Sequence, residues 1–251
     1  MKQDVKAVLL VGGLGTRLRS VVPSAPKVLA SVGKRSFLEL LLGQLHSQGI
    51  RRLVMCTGYL ADQIESEFGN GCACDMAIEY SKEDQPLGTA GAVKRAQQYL
   101  QEDTDFLVMN GDSFLEINFA DLLDFHRDRK ANATIAVLRV EDTGRYGTVN
   151  VDPEGRVRGF AEKTGNEIAG LVNGGVYVFN QSVFQYIPDG PASLERNVFP
   201  RLLDQGVYAL EQHGIFIDIG TPTDYARAQK LCDSLNRAAF RDRLPDSAAG
   251  K

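Results

Sequence analysis

The chain has 251 residues, 43% of them hydrophobic and 24% charged, with a formal net charge of −4. That length accommodates one sizeable α/β domain or two small ones, and the composition is that of an ordinary globular protein. A slightly acidic balance with no basic stripe argues against nucleic acid as the main partner.

Residues 5–11 form a short, nearly continuous apolar run, as expected of a buried parallel strand. The run contains Lys6 and is too short for a signal peptide. No stretch reaches the roughly 18 apolar residues that span a bilayer. Ser36-Phe37-Leu38-Glu39 is a capping box. It starts a helix with Phe37, Leu40, Leu41 and Leu45 on one side, which stops near Gly49. A strand at 53–57, a helix at 61–68, a strand at 76–80, a helix at 89–100 and a strand at 106–110 follow. This βαβα order predicts a mostly parallel, Rossmann-like sheet with helices on both faces. After residue 130 closely spaced strands are predicted at 134–140, 147–151, 156–161 and 174–179, with turns such as Asp152-Pro153-Glu154-Gly155 between them. They are expected to make the sheet mixed and to form an antiparallel lid over the first half. A helix capped by Ser193 is expected to run to Gln205. Strands at 207–211 and 215–219 precede a last helix that starts at Thr221-Pro222. Residues 241–251 are small or charged and read as a flexible tail. The four cysteines, Cys56, Cys72, Cys74 and Cys232, lack paired zinc-ligand spacing and read as reduced thiols of a cytoplasmic protein.

The candidate chemistry lies at strand ends. Gly12-Gly13-Leu14-Gly15-Thr16-Arg17-Leu18 directly follows the first strand. Glycines let a backbone approach polyphosphate closely, and Arg17 offers a planar fork of donors. A tight turn is the competing reading of the glycines. There is no Gly-Lys-Ser/Thr, so this is not a P-loop, and G-G-x-G is not the dinucleotide fingerprint. Lys27, in Pro26-Lys27, can neutralise phosphate charge. Asn110-Gly111-Asp112 and Asp218-Ile219-Gly220 each place a carboxylate near a strand end, where open α/β sheets bind ligands. Two such carboxylates can hold a hard cation such as Mg2+. Each aspartate alone would read as a turn or helix-cap residue. Gly88 and Thr89 open a helix with small residues, where a flat ring or sugar can approach the backbone. Glu162 can accept from sugar hydroxyls, and Lys163 can meet a second phosphate.

The ordered set resembles the sugar-phosphate nucleotidyltransferases, or nucleotide-sugar pyrophosphorylases. It comprises the glycine loop, Pro26-Lys27, Pro86-Leu87-Gly88-Thr89-Ala90-Gly91, Asn110-Gly111-Asp112, Tyr146-Gly147, Glu162-Lys163, Asn173-Gly174-Gly175-Val176-Tyr177 and Asp218-Ile219-Gly220-Thr221-Pro222. Three phrases are similar to guanylyltransferases that act on D-glycero-α-D-manno-heptose 1-phosphate: Leu18-Arg19-Ser20-Val21-Val22, Glu83-Asp84-Gln85-Pro86-Leu87-Gly88-Thr89 and Ile217-Asp218-Ile219-Gly220-Thr221-Pro222. Mannose-1-phosphate guanylyltransferases are the nearest alternative, ahead of relatives that use UTP, dTTP or CTP.

The resemblance implies one nucleotidyltransferase domain over 1–240. Within it, 1–130 is the nucleotide half, 131–220 the sugar half and 221–240 the last helix. It implies transfer of a nucleotidyl group from a nucleoside triphosphate to a sugar 1-phosphate, with release of pyrophosphate and Mg2+ as cofactor. Leu10, Gly12, Gly13, Gly15, Thr16, Arg17, Gln85, Gly88, Thr89 and Asp112 would line the nucleotide. Asn110, Gly147, Glu162, Lys163, Asn173 and Asp218 would line the sugar. Arg17, Lys27, Asp112 and Lys163 would be catalytic, and Asp112 and Asp218 would hold the metal. The implied partners are the two substrates, with no nucleic acid and no membrane; a homo-oligomer is left open. Val11 and Val28 depart from the common pattern, but neither change removes a charge. Retention of Arg17, Lys27, Asp112, Lys163 and Asp218 argues against a catalytically silent relative. The missing G-x-G-x-x-G argues against a nucleotide-binding oxidoreductase.

Overall fold

A computed structural model describes residues 5–144, 147–161 and 169–240. In chain order its strands are β1 (Lys6–Leu10), β2 (Ser31–Val32), β3 (Arg35–Ser36), β4 (Arg52–Thr57), β5 (Ala77–Lys82), β6 (Asp105–Asn110), β7 (Ser113–Leu115), β8 (Ala133–Val140), β9 (Thr148–Val151), β10 (Val157–Ala161), β11 (Gly170–Asn180), β12 (Val207–Gln212) and β13 (Phe216–Asp218). The helices are α1 (Phe37–Ser47), α2 (Ala61–Phe68), α3 (Gly88–Ala96), α4 (Phe119–Asp128), α5 (Phe199–Leu202), α6 (Pro222–Lys230) and α7 (Cys232–Ala239).

One sheet runs through both halves. β6, β1, β4 and β5 lie side by side and parallel, as the βαβα order requires. On the other side of β6, the second half of β11 pairs antiparallel with it. β8 lies antiparallel along β11, and β9 and β10 form an antiparallel hairpin beside the first half of β11. The expected antiparallel pairing thus holds for β8 to β11. β12 departs from it and runs parallel to β8. β7 and β13 form a separate two-stranded antiparallel pair.

The period-2 alternation of the strands divides the core between two faces. Leu9, Leu107 and Met109 join one hydrophobic cluster with Leu41, Phe119, Leu122 and Leu235. Val8, Phe106 and Val108 join the other with Val93, Tyr177 and Phe199. The first face therefore carries α1, α4 and α7, and the second carries α3 and α5. In the capping box, Ser36 Oγ accepts the Glu39 N–H at 3.3 Å and Glu39 Oε2 accepts the Ser36 N–H at 2.6 Å.

Several helices differ from the sequence expectation. α4 was not anticipated, although Phe119, Leu122, Leu123 and His126 have helical spacing and Asn118 caps the helix through the Ala120 N–H. The helix expected at 89–100 ends at Ala96 and tightens into a 3-10 turn at Gln97–Tyr99. Ser193 does cap a helical segment, but the run to Gln205 is broken into a π turn at Leu194–Val198, then α5, then a 3-10 turn at Leu203–Gln205. Pro200 supplies no backbone N–H, so a continuous α-helical ladder cannot pass through it. The last helix is two helices, α6 and α7, broken at Leu231.

Candidate active site

The glycine loop leaves β1 at the carboxyl edge of the sheet, and its first turn is dictated by close approach. A Cβ on Gly12 would sit 3.1 Å from Gly58 N, and one on Gly58 would sit 3.0 Å from Gly12 O, so the loop after β1 and the loop after β4 touch through glycine. Gly15 has φ +59, and a Cβ there would meet the Lys27 Cβ at 3.1 Å. Glycine therefore both permits the left-handed turn and lets Lys27 pass beneath the loop.

Lys27 Nζ meets Asp112 Oδ2 at 2.5 Å, with the lysine side chain 13% exposed and the aspartate 35%. Asp112 is set by the turn after β6. The Gly111 N–H donates to Leu10 O at 3.0 Å, and a Cβ on Gly111 would lie 2.7 Å from that oxygen. This turn crosses the end of β1 and brings Asp112 to the glycine loop. Asp218 arrives from β13, which pairs with β7 so that Asp218 lies opposite Ser113. The Ile219 N–H donates to Asp112 O at 2.9 Å. The two aspartates, over a hundred positions apart, thus occupy adjoining strand ends. Burial pushes the Asp218 carboxyl above its ordinary pKa, and the charge of Asp112 pushes it further; Lys27 and the Gly220 N–H pull it back.

A cleft of about 280 Å³ opens beside this cluster. Leu10, Gly12, Gly13 and Gly15 line it from the β1 side, and Asn110 and Asp112 from β6. Lys27 joins them, and Gly88 and Thr89 close it from the start of α3. Other expected residues lie off its wall. Thr16 and Arg17 are exposed on a 3-10 turn (Thr16–Leu18), with Arg17 making no ion pair among the described residues. Gln85 is exposed and does not line the cleft. Asn173 reaches the site indirectly, through the Tyr177 hydroxyl. Gly147 precedes β9, and a Cβ there would lie 3.3 Å from Ala161 O. Tyr146, Glu162 and Lys163 lie outside the described residues.

The structure adds residues to which the sequence reading assigned no role. Glu83 and Cys56 line the cleft. Burial is the main cause that pushes the Glu83 carboxyl up, and the Leu87 N–H opposes it. Burial likewise pushes the Cys56 thiol up, away from the reactive thiolate. Tyr177 and Glu195 stand behind the cleft, linked to Asn173 and Thr89. For Glu83 the signal was available: it opens the polar run Glu83-Asp84-Gln85 that follows β5 at the carboxyl edge. Glu195 is marked locally only by Ser193, and its other partners come from β11 and α3.

The donor set suits a hard divalent cation. Among the described residues no three His, Cys, Asp or Glu side chains gather around one point. Mg2+ needs only one or two carboxylates, with water and phosphate oxygens completing its shell. The repulsion between Asp112 and Asp218 is what such a cation would offset. No helix among the described residues is long and apolar enough to cross a membrane.

Residues 6–234 match the family model described as "Nucleotidyl transferase". The chain is 41% identical over 228 residues to the mannose-1-phosphate guanylyltransferase of Mycobacterium tuberculosis (strain ATCC 25618 / H37Rv), covering 89% of this chain and 63% of that protein. It is 37% identical over 228 residues to the D-glycero-alpha-D-manno-heptose 1-phosphate guanylyltransferase of Aneurinibacillus thermoaerophilus, covering 90% of this chain and 97% of that protein. The crystal structure of HddC from Yersinia pseudotuberculosis complexed with GMP-PN superposes with a TM-score of 0.80 at 32% identity, covering 90% of this chain and 98% of that one. The chain therefore spans less than two thirds of the mycobacterial relative but nearly the whole of the other two.

Proposed function

The chain belongs to the nucleotidyl transferase family, and on that premise we propose that it transfers GMP from GTP to a sugar 1-phosphate, releasing pyrophosphate. The observation that carries this reading is the pairing of Lys27 with Asp112 on the wall of a glycine-walled cleft, with Asp218 at the adjoining strand end, near enough to feel the charge of both. D-glycero-α-D-manno-heptose 1-phosphate is the favoured acceptor, because the heptose relative matches over nearly its full length. Mannose 1-phosphate is the second reading, favoured by the higher identity to the mycobacterial relative.

In this reading the phosphate oxygen of the sugar attacks the α-phosphorus of GTP in line. The new O–P bond forms as the bond to the β-phosphate oxygen breaks, and pyrophosphate leaves with the electron pair. The attacking oxygen is already ionised, so no general base is required, and His46, His126 and His213 have no part in the step. Two anions must meet, so neutralisation and alignment carry the acceleration. The backbone of Gly12, Gly13 and Gly15 cradles the triphosphate. Arg17, solvent-exposed beside the loop, grips the departing phosphates, and Lys27 draws the two phosphates together. Asp112 and Asp218 would hold Mg2+, which when bound supplies Lewis-acid polarisation of the phosphate oxygens. Gly88 and Thr89 face the nucleotide. Lys163 would hold the sugar phosphate, and Gly147, Glu162 and Asn173 the sugar hydroxyls.

Pyrophosphate release across GTP, ATP, UTP, CTP and dTTP, each paired with the heptose, mannose and glucose 1-phosphates, tests the reading. Release is expected with GTP and a manno-configured sugar. Release from none of these pairs would overturn it.

A further inference from the structure

The glycine loop is fastened to one other segment, the turn after β4 and the start of α2. At the head of the loop the Tyr59 N–H donates to Gly12 O at 3.4 Å, where Gly12 and Gly58 approach each other. Beyond the loop's 3-10 turn, the Arg19 guanidinium stands over the Tyr59 ring, 4.8 Å from its centroid. Further along, Gln63 Nε2 donates to Ser24 O at 3.3 Å. Neither Tyr59 nor Gln63 lines the cleft, so this fastening lies outside the site it supports.

Arg19 has a second contact. Its Nη2 donates to Leu14 O at 3.5 Å, so one side chain bridges the flanks of the 3-10 turn Thr16–Leu18. Leu18 plugs that turn into the core, and the Leu18 N–H donates to Gly15 O at 3.0 Å. The backbone of Arg17 is thus held from below by Leu18 and from outside by Arg19. Leu14 itself is 46% exposed, so the tip of the loop has no buried side chain to anchor it, and the Arg19 bond restrains it instead.

The turn that presents Tyr59 is strained. Leu60 has φ +54, a left-handed conformation rare for a bulky residue, and it offers α2 no side-chain cap. Strain of this kind persists where surrounding contacts over-determine the backbone, and it gathers at functional sites. This turn lays the Tyr59 ring under Arg19 and its N–H on Gly12 O.

We propose that Arg19 and Tyr59 are positioning residues whose stacked pair latches the glycine loop and sets where its amides and Arg17 meet polyphosphate. The inference rests on the nucleotidyl-transfer reading, in which that loop cradles the triphosphate and then the departing pyrophosphate. The latch touches the loop alone, so it acts on GTP and pyrophosphate and not on the sugar 1-phosphate. A cation over a ring face near the surface contributes about 2- to 5-fold in an equilibrium constant.

The experiment compares the parent with Arg19→Ala, Tyr59→Leu, Tyr59→Phe and the double variant Arg19→Ala with Tyr59→Leu. Titration calorimetry reads the Kd of GTP and of pyrophosphate, and steady-state kinetics at saturating GTP reads KM for the sugar 1-phosphate. Tyr59→Leu should weaken GTP and pyrophosphate by about 2- to 5-fold, and Arg19→Ala by at least as much. The double variant should be no weaker than Arg19→Ala, because the tyrosine acts through the arginine. Tyr59→Phe keeps the ring face and should bind both ligands like the parent. KM for the sugar 1-phosphate should be parental throughout. A parental Kd in Tyr59→Leu beside a weakened Arg19→Ala would put Arg19 directly on the phosphates and overturn the latch. Losses that multiply in the double variant, a loss in Tyr59→Phe equal to that in Tyr59→Leu, or an equal rise in KM for the sugar 1-phosphate would overturn it too. Where thermal unfolding shows that Tyr59→Leu does not fold, Tyr59→Met, an unbranched side chain without a ring face, decides by the same outcomes. A parent that binds GTP and pyrophosphate but releases no pyrophosphate with any sugar 1-phosphate overturns the function, and the Kd series still decides the latch. A parent that binds neither ligand overturns both.

Discussion

The two ends of β6 carry polar clusters of opposite character. At its amino end Asp105 meets Arg127 at 3.5 Å and accepts from Asn180 at 3.2 Å. His126 lies beside them, buried, with Nδ1 2.9 Å from Thr134 Oγ1. The acid there has donors around it, and burial holds the imidazole below its ordinary pKa despite the nearby Asp105. At the carboxyl end Lys27 pairs with Asp112, while burial and the charge of Asp112 push the Asp218 carboxyl up. One strand thus begins at an acid paired by protein donors and leads into a turn where two acids stand beside a single lysine. The proposed function draws on this difference: charge in mutual repulsion stands at the carboxyl edge, where α/β sheets meet their substrates, while the acid at the amino end is paired within the fold.

The comparison fails or sharpens on substitutions at each end. Asp112→Asn should lower kcat by about 10²- to 10³-fold, the scale of losing a preorganised electrostatic group, with little change in sugar phosphate affinity measured by equilibrium binding. Asp218→Asn should lower kcat by a comparable order while leaving the denaturant midpoint equal or higher, because it removes a repulsion. A stability loss in Asp218→Asn would erase the contrast between the ends. At the amino end His126→Ala should cost about 2–3 kcal/mol, from a cavity and an unpaired Thr134 hydroxyl, with kcat/KM within about twofold of the parent.

The smallest effect is in pH. His126 has a lowered pKa in the fold, so the unfolded chain binds its proton more readily and stability falls as pH drops below the unfolded value of about 6.5. Asp218 has a raised pKa, so its contribution has the opposite sign: it is present at acid pH and lost as pH rises through the folded carboxyl value. Denaturant midpoints between pH 7.5 and 5 should therefore fall in the parent and flatten in His126→Ala. A parallel fall in both would assign the dependence to other groups.

Strand positions and the glycine loop were legible in the sequence because they depend on short-range signals. Apolar runs set β1, β4 and β6, and the capping box at Ser36 set the start of α1. The parallel pairing of β12 with β8 was not legible, because register between distant strands leaves no local mark. α4 is written in the spacing of Phe119, Leu122, Leu123 and His126 behind the Asn118 cap. In the site, the convergence of Asp112 and Asp218 followed from both standing near strand ends. Arg17, read from the loop itself as a fork for phosphate, and Gln85, placed from the family resemblance, lie off the cleft wall. Glu195 depends on side chains from three elements, and no spacing along the chain encodes that meeting.

The central claim is that the carboxylates of residues 112 and 218 act together on one divalent cation during nucleotidyl transfer. Pyrophosphate release from GTP and the sugar 1-phosphate, followed across a Mg2+ titration in the parent and in Asp218→Asn, tests it most directly. The account predicts no release in chelator, recovery on adding Mg2+, and a requirement for about tenfold more Mg2+ in the variant, the loss expected when one of two charged ligands is neutralised. Undiminished release in chelator, or identical Mg2+ dependence in the two proteins, would contradict it.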